Sequence, residues 1–147
     1  MQITSRFTIA VQVFACISQF EEQFKITSDF LASSVNVNPV VIRRILQQLK
    51  SVGLIEVKRG SGGASIAKSP EEITLLDIFN AVECLDEGNL FHFHENPNVQ
   101  CPVGRNIHNV LDQKLEHIQS VLEDELRKTT VADITKDTEK YIAKENK

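Results

Sequence analysis

Residues 38–68 read NPVVIRRILQQLKSVGLIEVKRGSGGASIAK, and the order of signals within them decides the fold. Asn38-Pro39 is a helix start, with Asn as the cap and Pro at the first helical position, where its missing N–H costs nothing. Ile42, Ile45, Leu46 and Leu49 recur at i, i+3, i+4 and i+7, the inward stripe of an amphipathic helix. Val40, Arg43, Arg44, Gln47 and Gln48 fall on the opposite face, and Gly53 stands just past the helix end. Residues 54–58 are a short strand by composition. Arg59-Gly60-Ser61-Gly62-Gly63 is a turn that uses glycine's backbone freedom, and 64–67 returns as a second strand. A hairpin this small is marginal unless it packs on helices.

Outward from this stretch, residues 3–20 place Ile3, Phe7, Val11, Phe14 and Ile17 near helical spacing, which predicts a buried amphipathic helix. Thr27 caps a short helix begun by Ser28-Asp29, and 35–37 is a tight connection. Helix, short helix, turn, capped helix, hairpin is the order of a winged helix-turn-helix. In that motif the second helix of the turn enters the DNA major groove by its N-terminal residues. Downstream, Thr74 caps a helix bearing Leu75, Leu76, Ile78, Phe79 and Val82, and 84–100 lose periodicity and read as a loop. Cys101-Pro102 opens the longest helix, with Ile107, Leu111, Leu115, Ile118, Leu122 and Leu126 on one stripe. At about 1.5 Å per residue this helix runs about 39 Å from Pro102 to Arg127, too long for so small a module to cover, so a partner helix is expected. Thr129 and Thr130 break it, and 131–142 form one further helix. The expected fold is mainly α with a small β-hairpin wing: a winged helix-turn-helix DNA-binding domain over 1–83, a loop over 84–100 and a helical dimerisation region over 101–147.

The chain has 147 residues, with 41% apolar and 24% charged, which bounds it to about one globular domain. No apolar run approaches the roughly 18 to 20 residues of a membrane span, and the N-terminus lacks the signature of a signal peptide. Three widely spaced cysteines, Cys16, Cys84 and Cys101, argue against a disulfide scaffold and for a cytoplasmic protein with no membrane partner. The net charge of -4 hides an asymmetry. Between 25 and 68, Lys25, Arg43, Arg44, Lys50, Lys58, Arg59 and Lys68 face only Asp29 and Glu56, a net of +5, while 69–147 carry -8. A basic module joined to an acidic one points to a polyanion on one side.

The candidate DNA contacts follow from that frame. Arg43 and Arg44 lie off the apolar stripe and can reach guanine edges or phosphates, while Asn38, Val40 and Val41 occupy the first helical turn beside the base edges. Gln47 and Gln48 are expected on the backbone, with Arg6 as a further backbone contact. Lys58, Arg59, Ser61 and Gly62 form the wing, laid along phosphates or into the minor groove. Thr27 and Ser28, at a helix N-terminus, suit a phosphate oxygen.

The run NPVVIRRILQQLKSVGLIEVKRGSGGASIAKSPEEITLLDIFNAVE also resembles the signature of the Rrf-two (Rrf2) family of bacterial winged-helix transcription regulators. The likeness runs from about Ile3 to Cys101. Its most specific parts are Gly53-Leu54, Arg59-Gly60 with Gly62-Gly63, and ITLLDIFNAVE. It implies a homodimer whose long C-terminal helices, here 102–127, cross so that each protomer offers one wing and one recognition helix to a palindromic site, usually to repress. The sequence departs from the family at two points. The wing carries Ala64-Ser65 where an aromatic often follows the paired glycines, and its turn is shorter. The cluster-binding members carry three closely spaced cysteines in the loop before the long helix, where this loop has Cys101, with Cys84 seventeen positions earlier. No cofactor is therefore expected, and no iron–sulfur cluster.

Cys101 itself is the redox-sensing candidate. It sits at a helix N-terminus, where the dipole and free N–H groups favour an anion, with Arg105 four residues on. His92 and His94, flanking Phe93, are weak metal candidates together with Cys101. The sequence holds no G-x-x-x-x-G-K, G-x-S-x-G or H-E-x-x-H, and its glycine turn joins two strands rather than opening a helix, so an enzyme is not expected. The alternatives are a winged-helix protein-interaction module, or a regulator controlled by a partner protein or a metal.

Overall fold

In a computed structural model that describes residues 4–59, 63–83 and 88–146, the chain runs through six helices and one hairpin among the described residues. These are α1 (Ser5–Phe20), α2 (Ser28–Val35), α3 (Pro39–Ser51), β1 (Ile55–Lys58), β2 (Gly63–Ile66), α4 (Leu75–Val82), α5 (Pro102–Arg127) and α6 (Val131–Glu145), with one 3-10 turn at Pro70–Glu72. The expectations for Ile3, Gly60, Ser61, Gly62 and Cys84 lie outside the described residues.

Local chemistry sets the helix ends. The Thr27 hydroxyl accepts from the Phe30 N–H at 3.1 Å, and the Asn38 side-chain oxygen Oδ1 accepts from the Val40 N–H at 2.9 Å. Between these caps Asn36 takes φ 64°, a left-handed turn that Asn tolerates, and this folds α3 back across α2. Thr74 with Asp77 and Thr130 with Asp133 form two capping boxes. Those two helix starts are joined by backbone: Leu75 N–H donates to Thr129 O at 2.9 Å and Val131 N–H to Ile73 O at 2.8 Å.

One core holds the elements together. Val13, Phe14 and Ile17 of α1 meet Leu31 of α2, Ile42, Ile45 and Leu49 of α3, Ile55 of β1, and Ile78 and Val82 of α4, all fully buried or nearly so. The stripe expected on α1 is shifted. Phe7 and Val11 are only partly buried, while Ala10, Val13 and Cys16 are buried, because α1 packs against α2, α4, β2 and α6 rather than against one neighbour. β1 and β2 are antiparallel with Ile55 opposite Ile66 and Lys58 opposite Gly63.

The two C-terminal helices behave differently. α6 returns to pack on α1, with Val131 in the common core. α5 has no buried residue, and leaves Val103, Val110, Ile118 and Val121 each more than half exposed. Its main ties are to α4 and to the preceding loop, where the Gln119 side chain accepts from Leu90 N–H at 2.9 Å and donates to Gly88 O at 2.8 Å.

Candidate nucleic-acid interface

An open groove of about 440 Å³ runs between the start of α2, the outer face of α3 and the base of the hairpin. Thr27 and Ser28 form one wall, Arg43, Leu46, Gln47 and Lys50 the floor, and Val57, Lys58, Gly63 and Ala64 the other wall. Arg43, Lys50 and Lys58 bring three cations to it, and among the described residues no carboxylate lines it. Among the described residues none of Arg43, Arg44, Lys50, Lys58 and Arg59 has an ion-pair partner, and all five are exposed. The N-terminus of α3 carries no acid in its first turn, so its positive dipole end is uncompensated.

The walls are held by close backbone approach. The 24–27 segment lies against the start of β2, where Ala64 N–H donates to Ile26 O at 2.8 Å. Gly63 takes φ +71°, and a Cβ there would stand 2.8 Å from the Ile26 nitrogen and 2.9 Å from its oxygen. Only glycine allows the hairpin this close to the α2 start.

The structure sorts the sequence candidates. Arg43, Gln47, Lys58, Thr27 and Ser28 meet in the groove, and Arg44 and Arg59 are exposed but do not line it. Val40 is 53% exposed on the first turn of α3. Three candidates are placed less openly than the sequence suggests. Val41 is half-buried against the core, because its position turns it toward the side that α2 covers. Gln48 is half-buried with its side-chain oxygen shut off from solvent and unpaired among the described residues, so it is not presented to a backbone. Arg6 is held at the α1–α4 junction, its Nε donating to Thr4 Oγ1 at 3.4 Å, while Thr4 donates to the Glu83 carboxylate. Asn38 remains exposed, but its side-chain oxygen Oδ1 is committed to capping α3. Ser61 and Gly62 are outside the described residues. Sequence reasoning missed Lys50 as a lining residue of the groove, although steps of four and three residues, from Arg43 through Gln47, keep it on the same face.

The second region begins at Cys101, an exposed free thiol at the N-cap of α5 with no side-chain capping bond. Arg105 donates to the Val99 carbonyl at 3.4 Å, and Gly104 packs so tightly on Asn98 that no Cβ fits. Cys16 is buried, its Sγ 3.1 Å from Ser34 Oγ. His92 and His94 line a cavity with His108, a residue of α5 whose Nδ1 is bound to Asp112 at 3.0 Å. Cys101 does not line that cavity. Among the described residues no group of three His, Cys, Asp or Glu side chains is placed to hold a metal ion, so the trio of His92, His94 and Cys101 is not brought together. No described helix is long and apolar enough to cross a membrane.

Comparison with known proteins gives concordant matches. Residues 3–137 match the Rrf2 family, described as an iron-dependent transcriptional regulator. YwnA of Bacillus subtilis (strain 168), provisionally designated an HTH-type transcriptional regulator, is 41% identical over 132 residues, 90% of this chain and 96% of YwnA. The HTH-type transcriptional regulator NsrR of Geobacillus kaustophilus (strain HTA426) is 30% identical over 143 residues, 93% of this chain and 91% of NsrR. Among solved structures, a protein provisionally described as DNA-binding superposes with a TM-score of 0.70 at 35% identity, over 88% of this chain and 98% of its own. The T. potens IscR structure shares the fold, with a TM-score of 0.69 at 21% identity, over 96% of this chain and 90% of IscR.

Proposed function

The chain belongs to the Rrf2 family of transcriptional regulators, and from that premise we propose that it acts as a homodimeric repressor that binds a palindromic DNA site through the groove between α2, α3 and the hairpin. It is a DNA-binding transcription regulator and not an enzyme. The observation that carries the site is the meeting of Arg43, Lys50 and Lys58, all exposed, with Thr27 and Ser28 in a groove that no carboxylate lines among the described residues, the Asp29 of the first turn of α2 standing outside it. Lysines and free helix amides hold phosphates and fix register, and an arginine fork reads the O6 and N7 of guanine. Thr27 and Ser28 contact a phosphate at one wall, and Lys58 and Arg59 contact the backbone at the other. The duplex and a second copy of this chain are the partners, which sets the work in the cytoplasm.

The reading takes no iron and no iron–sulfur cluster. The donors of the described residues do not fit such a group: Cys16 is sealed in α1, and Cys101 stands apart from the cavity of His92, His94 and His108. Control is assigned instead to the Cys101 thiol, supported by its exposure at the start of the helix that joins the protomers. The Cys101→Ser variant should bind DNA as the wild type does and lose oxidant-induced release. Unchanged release would remove Cys101 as the sensor.

Selection of bound duplexes from a random pool tests the whole reading. It should return a palindrome whose affinity falls steeply with salt, as counterion release requires. Binding indifferent to salt and to Arg43→Ala would favour a protein-docking module instead.

A further inference from the structure

This inference rests on the DNA-binding reading of α3 and names a base that α3 reads. Two adjacent valines open the helix, and the fold separates them. Val41 packs against the core, whereas Val40 leaves 53% of its surface open. Val40 is the one large apolar side chain of α3 that is exposed among the described residues. Its place is fixed: Pro39 sets the first helical φ, and the Asn38 side chain accepts from the Val40 N–H at 2.9 Å. A β-branched side chain in a helix keeps one preferred χ1, so its two methyls present a stiff apolar surface. That stiffness lowers helix propensity, and nothing is gained from water, so the valine does not serve the helix itself.

Arg43 and Arg44 follow Val40 at i+3 and i+4 and share its face. Along the major-groove edge every base pair offers hydrogen-bond donors or acceptors, but only thymine offers an apolar group, its C5-methyl. A polar side chain at the position of Val40 would suit any other base better. We propose that Val40 packs on a thymine C5-methyl, so that each half-site carries a thymine next to the guanine held by Arg43 or Arg44. The helix rises about 4.5 to 6 Å over three to four residues and the duplex about 3.4 Å per pair, which sets the two bases about one or two pairs apart.

The experiment uses the whole 147-residue chain and the duplex selected from the random pool. Each thymine of the half-site is replaced symmetrically by deoxyuridine, which lacks only the methyl and pairs as thymine does. One replacement should weaken wild-type binding by about fourfold per half-site, the worth of one buried methyl-sized group, and so by about fifteenfold for the palindrome. Val40→Ala should lose a comparable factor on the thymine duplex and no longer distinguish it from the deoxyuridine duplex. Wild-type indifference to deoxyuridine at every position overturns the thymine assignment, as does a Val40→Ala protein that still discriminates. Both leave the DNA-binding reading standing, whereas failure to select any duplex overturns the two together.

Discussion

Arg43 and Lys58 line the same groove but should fail differently when removed. Arg43 sits over the floor at the reading helix, and Lys58 ends β1 at the wall. Truncating Arg43 to alanine should cost about 1–3 kcal/mol on the selected site and relax sequence preference at one base pair. Lys58→Ala should weaken binding almost equally on selected and random duplexes and lower the salt slope by about 1 for each phosphate no longer neutralised. Affinity measured on both duplexes at several salt concentrations separates the two roles, and identical behaviour of the two variants would deny that α3 reads bases. Asn38 belongs to neither class, since its side-chain oxygen Oδ1 is spent on the Val40 N–H. Asn38→Ala should cost about 1 kcal/mol of folding stability, seen as a lower melting midpoint.

Among the elements, the hairpin owes its closeness to the α2 start to a single residue. Gly63→Ala must place a Cβ against the Ile26 backbone at 2.8 and 2.9 Å, in a left-handed conformation. Backbone atoms cannot swing aside as a side-chain end can, so β2 must lift from the 24–27 segment and widen the groove. A destabilisation of at least about 1–3 kcal/mol is expected, together with weaker DNA binding. Gly53, at φ +78° with nothing within 4 Å, is the control: Gly53→Ala bears the conformational penalty alone and should leave the groove unchanged. Equal losses of DNA affinity in the two variants would refute the clamp. The contrast also marks what the letters convey. Helix α3 is legible because its cap, its proline and its i, i+3, i+4, i+7 stripe all speak of one segment. The role of Gly63 is not, because it depends on Ile26, a residue far away in sequence that only the fold brings near. The same holds for Arg6, which reads as a free cation yet donates to the Thr4 hydroxyl that is itself bound to Glu83, and for Gln48, which is half-buried while its neighbour Gln47 stays exposed.

For the whole molecule the deciding feature is that no residue of α5 is fully buried within one chain. A 26-residue helix is about 39 Å long, and its outer surface carries Val103, Val110, Ile118 and Val121 beyond the half-buried stripe through Leu111, Leu115 and Leu122. An apolar face of that length is not left in water by a stable protein, and a two-fold pairing of α5 with its copy would cover it. It would also carry two reading helices at a fixed separation, matched to half-sites about one duplex turn, or a multiple of it, apart. Ile118→Glu puts a charge on this surface at a position 51% exposed in one protomer, so the protomer itself should melt as before. The expected result is a single-chain mass in sedimentation and a palindrome affinity lower by about 10²–10⁴-fold, the usual advantage of two linked sites. Val121→Glu, 53% exposed, should act alike. If both variants remain dimeric and bind the palindrome unchanged, the protomers meet elsewhere, and the spacing of the half-sites must be derived from that other surface.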